Sequence, residues 1–538
     1  MNTKRPNFPQ LVLIFFILIQ VIVNIIWLSI DRTPPAWDQA AHLRSSIMAE
    51  RWLTGEKKEK INFPDLVRRF YAYPPLIYFI TGIYGISFGF GIDYLCFINT
   101  LFSILAAFGI YKLAKEFVKE KMAVLAAIFF LFIPVIYSIS REFLLDLPLT
   151  AIVIFGLWFW IKSDFLRERR TSWSWWLMLS LASLTKINGF IYFVPMGVMS
   201  IIYWFRERDF KQLKNLFFGA GLWLSSISWW WIINWDNIYY NIFLQNRRGE
   251  LDDPMNLFDW QTWTHYLKLF IKHQFQLIPA LIFIILFISW LRRSKDEKEK
   301  KITWWLLSNY VIFTIIPNKD MRYVMPLLSV VVIIMVIELD YLKKIWRVAL
   351  ISVLAVFWGF FYFNTSFGWP IPGEFILESR IPLFGNLEWI GFYQYPVYPP
   401  QRTIWPNREI TKKLYQIALN KGRQECLMII NWPEINDNNL LLDRDLYLID
   451  GLQYYNLESV GLIYEFKDIK EVKEFTDKFD LVLVPDNMAD IGPLYIKDLK
   501  SRRQLRDWIW QHPEQWKMEA EFFTPRGTSV YLFSHVRE

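Results

Sequence analysis

Asp38 lies in the run Thr33-Pro34-Pro35-Ala36-Trp37-Asp38-Gln39-Ala40-Ala41-His42, directly after an apolar stretch from Leu11 to Ile30. An ionised group close to hydrocarbon is costly and is usually kept for a function, so a carboxylate at a span's exit reads as a candidate general base. The plainer reading is a loop acid in water. His42 stands four residues on, a spacing that puts both on one helix face, and Arg44 is close by. Three further polar groups sit at the ends of apolar segments. They are Asp146 in Arg141-Glu142-Phe143-Leu144-Leu145-Asp146-Leu147-Pro148, Lys186 in Leu184-Thr185-Lys186, and Arg322 in Asn318-Lys319-Asp320-Met321-Arg322-Tyr323. Each has a structural alternative: Lys186 and Arg322 as snorkelling cations, Asp146 as a helix-start carboxylate, Asp320 as the partner of a nearby base, and Arg141 with Glu142 as a local surface pair.

The elements that must position these groups are membrane helices. The chain has 538 residues, 54% hydrophobic and 19% aromatic, and stretches of the roughly 20 apolar residues that a span needs recur as far as Phe363. The net charge of +8 does not point to nucleic acid, because the basic clusters fall in short loops between apolar segments, as the positive-inside rule expects. With the N-terminus in the cytoplasm, spans begin near residues 9, 93, 122, 147, 173, 190, 216, 275, 302, 323 and 345. The short Gly-broken stretch from Pro74 to Phe90 then lies on the outer leaflet as an interfacial helix. About eleven spans result, with Asp38, Asp146, Lys186 and Arg322 all on the outer side.

The expected fold is therefore a polytopic α-helical membrane protein with a C-terminal soluble α/β domain on the extracytoplasmic side. The predicted boundaries are 1–363 for the transmembrane domain, with an outer loop of interfacial helices at 31–92, then a surface linker at 364–405 and the α/β domain at 406–538. In that domain, helices are expected at Asn407–Asn420, near Ile469–Phe479 and at Ile496–Gln511. Strands are expected at Cys426–Trp432, Leu446–Ile449, Val460–Glu465, Leu481–Pro485 and Ser529–Phe533. Cys96 and Cys426 lie in regions not expected to meet, which leaves no disulfide framework and no cysteine metal site.

Five ordered motifs carry a resemblance: Trp-Asp-Gln-Ala-Ala-His-Leu at 37–43, Tyr-Pro-Pro-Leu-Ile-Tyr at 73–78, Arg-Glu-Phe-Leu-Leu-Asp-Leu-Pro-Leu-Thr at 141–150, Leu-Thr-Lys at 184–186 and Met-Arg-Tyr-Val-Met-Pro at 321–326. Together they resemble the GT-C membrane glycosyltransferases, in the branch of protein O-mannosyltransferases and lipid A aminoarabinose transferases, over about residues 10–340. The resemblance implies transfer of a hexosyl or pentosyl group from a polyprenyl-phosphate-linked donor to a lipid, glycan or protein acceptor, with inversion, in the plasma (inner) membrane. By the same matching, Asp38 is the catalytic base, Asp146 is the second acid, and Lys186, Arg322 and Arg44 are candidates for the donor phosphate.

Two departures bear on cofactors. Gln39 stands where many relatives carry a second acid, and Ala72-Tyr73 where some carry an acidic-basic pair, so a divalent metal remains an open alternative, with His42, His265 and His273 as its candidate ligands. No other cofactor is implied. The rival class is a membrane transporter or lipid flippase. It requires ionisable groups at mid-bilayer, where only Asn24 and Ser103 offer weak polar candidates. A second rival, a glycan ligase using diphosphate-linked donors, would depend on large outer loops rich in Arg and His.

Overall fold

A computed structural model describes residues 6–536 except 56–60, 71–72, 90, 240–253, 373–374, 382–384, 393–396, 423, 448–454, 460–465 and 487–495. It is mostly helical, and it divides into two compact units, one of residues 1–29 with 49–400 and the other of 30–48 with 401–538. All eleven predicted segments are helical. Six of the helices are long and apolar enough to cross a membrane: Phe8–Ile30, Ile92–Ala114, Asp146–Ser163, Gly189–Glu207, Phe210–Ile233 and Lys344–Phe367. Leu76–Phe88 and Leu277–Arg292 are shorter apolar helices.

Local chemistry explains where the helices differ from the sequence expectation. The segment expected from 122 to 139 is split into Glu120–Leu131 and Pro134–Ile139. Pro134 occupies the first turn of the second piece, and Ile133 before it is extended, as the residue preceding a proline tends to be. The segment expected from 302 starts earlier, at Glu297, because Asp296 and Glu299 form a reciprocal capping box there. Arg293 anchors that end of the bundle, with Glu299 at 2.7 Å and the buried Glu338 at 3.0 Å.

The centre of the first unit is the helix Leu327–Tyr341, in which every residue from Leu327 to Leu339 is buried. A helix that is apolar all round has no solvent face and belongs inside. Asp146–Ser163 is of the same kind. Between 375 and 392, within the expected linker, strands β1 (Phe375–Ile381) and β2 (Gly385–Phe392) pair antiparallel.

The second unit is built on a five-stranded sheet of β3 (Gln424–Met428), β4 (Tyr455–Ser459), β5 (Leu481–Pro485), β6 (Trp516–Phe523) and β7 (Ser529–His535), in the order β4-β3-β5-β7-β6. β4, β3 and β5 run parallel, and β7 and β6 close the sheet antiparallel. Helices Asp437–Tyr447, Ile469–Thr476 and Ile496–Gln511 alternate with the strands, as an α/β domain requires. β5 is a continuous apolar run and β3 is apolar from Cys426 onward, with almost every residue of both buried, the pattern expected where a parallel sheet is covered on both faces.

Candidate active site

Asp146, Lys186 and Arg322 come together in the first unit. Asp146 opens its helix, where the exposed N–H groups of the first turn favour a carboxylate. The preceding chain is fixed by Asn99, whose side-chain amide donates to the carbonyls of Glu142 and Leu144. Lys186 ends the helix Arg169–Thr185, with its backbone N–H bonded to the Ala182 carbonyl at 3.1 Å. The chain then turns tightly, and Gly189 donates to the Lys186 carbonyl at 2.8 Å. A Cβ on Gly189 would lie 2.1 Å from the Ala182 oxygen, so only glycine fits the turn that aims Lys186.

The result is a buried ion pair. Lys186 Nζ donates to Asp146 Oδ1 at 2.7 Å, with side chains 8% and 4% exposed. The same ammonium sits 5.0 Å from the centre of the Tyr323 ring, and Tyr192 donates its hydroxyl to the Tyr323 carbonyl at 2.6 Å.

One residue before Tyr323, Arg322 grips Asp320 with Nε at 2.8 Å and a second guanidinium nitrogen at 2.6 Å. Asp320 also caps the 3₁₀ turn Met321–Val324 by accepting from the Arg322 backbone N–H. Burial works to raise the Asp320 carboxyl, but the charge and hydrogen bonds of Arg322, with help from Lys186, outweigh it and hold the group below the ordinary range. The cluster thus alternates in charge as Asp146, Lys186, Asp320 and Arg322. The sequence reading of Asp320 as the partner of a nearby base is what the structure has.

Asp38 belongs to the second unit, in the first turn of the helix Trp37–Thr54. It is half-buried, and His42 one turn on is buried. Arg44 forms a 2.9 Å salt bridge to Asp445 of the C-terminal domain, an engagement with no signal in the sequence.

Among the described residues, no group of three or more His, Cys, Asp or Glu side chains is placed to hold a metal ion. Burial lowers the His265 imidazole to about 4, with Lys319 and Lys268 adding to the effect, and burial with Lys272 does the same for His273. Positive neighbours that oppose a proton also oppose a metal cation.

Arg141, expected at the surface with Glu142, is instead buried. It donates to Asn24 and Ser366 at 2.9 and 2.6 Å and is surrounded by the rings of Trp27, Tyr137 and Tyr362. Asn24 in turn donates to Thr100 and Ser140, and Ser103 to the Thr100 carbonyl. Asn24 is therefore spent on bonds between elements, and Ser103 on a bond within its own helix.

Residues 72–232 match the family model described as dolichyl-phosphate-mannose-protein mannosyltransferase. The chain thus resembles the GT-C superfamily through a stretch that includes Asp146 and Lys186 and stops short of Asp38 and Arg322. Its fold is similar to that of ArnT from Cupriavidus metallidurans bound to undecaprenyl phosphate, at 12% identity, over 96% of this chain and 97% of that one, with a TM-score of 0.59. The archaeal oligosaccharyltransferase AglB from Archaeoglobus fulgidus, in complex with an inhibitory peptide and a dolichol-phosphate, matches at 11% identity over 96% of this chain and 74% of that one, with a TM-score of 0.56. A search of curated protein sequences gave no match.

Proposed function

We propose that the protein is an integral membrane glycosyltransferase that moves a sugar from a polyprenyl-phosphate-linked donor to an acceptor at the extracytoplasmic face. The observation that carries this reading is the buried Asp146–Lys186 pair beside the Asp320–Arg322 fork, in a fold shared with proteins solved with polyprenyl phosphates. Asp38 takes the proton from the acceptor's nucleophile, which attacks the anomeric carbon as the bond from that carbon to the phosphate oxygen breaks. A single displacement of this kind inverts the anomeric centre. The polyprenyl phosphate leaves with the bond's electrons, and Lys186 and Arg322 stabilise its charge. A guanidinium suits a phosphate because it can bind two oxygens at once. In this reading the two cations supply the positive charge that a divalent metal would otherwise bring.

The topology that goes with the reading has eleven spans, a cytoplasmic N-terminus and an extracytoplasmic C-terminal domain. A transporter would need ionisable groups at mid-bilayer, and the mid-helix residues Asn24 and Ser103 are already bonded within the bundle. The test is to incubate purified protein with a panel of undecaprenyl-phosphate- and dolichyl-phosphate-linked hexoses and pentoses and to follow release of the lipid phosphate. Turnover of one donor supports the reading. A chain that consumes none of them and instead moves lipid or solute across vesicles contradicts it.

A further inference from the structure

The segment from Ile30 to Met48, which includes Asp38 and the first part of its helix, is grouped with the C-terminal α/β domain, and three sets of contacts hold it there. At the segment's start, the Arg32 N–H donates to the Gln401 carbonyl at 2.7 Å, and the Gln401 N–H to Asp31 Oδ1 at 2.8 Å. At Trp37, the indole N–H donates to Asn431 Oδ1 at 3.0 Å. At Arg44, Nε meets Asp445 Oδ2 at 2.9 Å. Asp445 is itself immobilised, being 3% exposed and held through its other oxygen by Arg444, which also donates to the Tyr455 carbonyl on β4.

Asp38 lies between the second and third of these contacts. Its predecessor, Trp37, has φ +29°, in a region that a residue with a side chain adopts only under constraint. A strained residue next to a candidate base is kept when its surroundings over-determine it, and the Asn431 hydrogen bond is one such constraint.

We infer that the C-terminal domain works as the holder of the catalytic base, with Asn431 and Asp445 as positioning residues that set the direction in which Asp38 is presented. The inference rests on Asp38 being the base. The domain then has a definite role, which is to restrict the Trp37–Arg44 turn to one orientation, so that the carboxylate meets the acceptor proton without a search. Misplacing a base by about an ångström can cost roughly a hundredfold in rate, while donor binding need not change.

The test uses the full chain in detergent or nanodiscs, with the undecaprenyl-phosphate-linked sugar that the parent turns over. Asn431→Ala removes the acceptor, and Trp37→Phe removes the donor while keeping an aromatic ring. Each should lower kcat about ten- to a hundredfold with donor KM near the parent's. The double variant should lose little more than either single, because both break one bond. Asp38→Asn is measured in parallel. If it retains full turnover, Asp38 is not the base, and the inference falls with that reading. If Asp38→Asn is inactive while Asn431→Ala keeps the parent's kcat, or if the two single losses multiply fully in the double variant, the positioning role alone is overturned. Should Asn431→Ala fail to fold, Trp37→Phe carries the same comparison.

Discussion

Removing the ammonium of Lys186 tests whether the buried pair is structural, functional or both. Lys186→Met keeps the length of the side chain and deletes its charge, leaving the Asp146 carboxylate 4% exposed without the partner now 2.7 Å away. Breaking one side of a buried pair costs about 3–5 kcal/mol, because a desolvated charge is left behind. The helix N-terminus at Asp146 returns about 1 kcal/mol of that, so a net loss of roughly 2–4 kcal/mol is expected. For a chain of this length the entropy of unfolding makes each kcal/mol worth about 1–2 °C, so the unfolding temperature in detergent should fall by roughly 2–8 °C. Adding Asp146→Asn removes the stranded charge, and stability should return to within about 1 kcal/mol of the parent. Turnover of the polyprenyl-phosphate donor should stay lost in both variants, since neither has the cation. The measurement is thermal unfolding and lipid-phosphate release on the same preparations. A single variant as stable as the parent, or a double variant that regains turnover, would refute the reasoning.

Other consequences follow from single contacts. Arg322→Lys keeps the charge but loses the planar fork that grips Asp320, and donor KM should rise by about tenfold with a smaller change in kcat; an unchanged KM removes Arg322 from the phosphate site. Gly189→Ala places a methyl against the Ala182 carbonyl, and overpacking there should cost about 1–3 kcal/mol in unfolding assays and reduce turnover by displacing Lys186. Burial pushes the Asp443 carboxyl up to about 7 against the pull of Arg408. The folded state therefore binds this proton more tightly than the unfolded one, and stability is lost as pH rises from the unfolded value through 7. Asp443→Asn should accordingly stabilise the protein at about pH 8 more than at about pH 5, by on the order of 2 kcal/mol, as read from unfolding temperatures. Equal effects at the two pH values would show that the carboxyl titrates normally.

The helical part was legible because apolar runs of span length allow few other outcomes, and even the break at Pro134 follows from a residue visible in the sequence. In the C-terminal domain, β3, β5 and β7 announced themselves as apolar runs. The strand expected at Leu446–Ile449 did not hold, since its first two residues end the helix Asp437–Tyr447, and a short apolar run does not separate strand from helix. The strand expected at Val460–Glu465 falls outside the described residues. β6 was missed although its sequence, Trp-Lys-Met-Glu-Ala-Glu-Phe, alternates apolar with polar residues as a strand does; what no local pattern discloses is the register shift of its pairing with β7 between Met518 and Ala520.

Charge bookkeeping alone put Asp146 and Lys186 on one face, and side-chain chemistry pairs them. Asp320 with Arg322 reads as a cap followed by its own partner two residues on. The links of Trp37 to Asn431 and of Arg44 to Asp445 span nearly four hundred residues, and nothing in a local pattern connects residues so distant. Those links became visible only once the sheet had brought the C-terminal chain back to residues 30–48.

The most direct measurement compares the parent with Asp38→Asn for release of undecaprenyl phosphate from its linked sugar, alongside donor affinity. Loss of a positioned general base should lower turnover by about 10²–10⁴-fold while donor affinity stays within about twofold. Full turnover by Asp38→Asn would contradict the account.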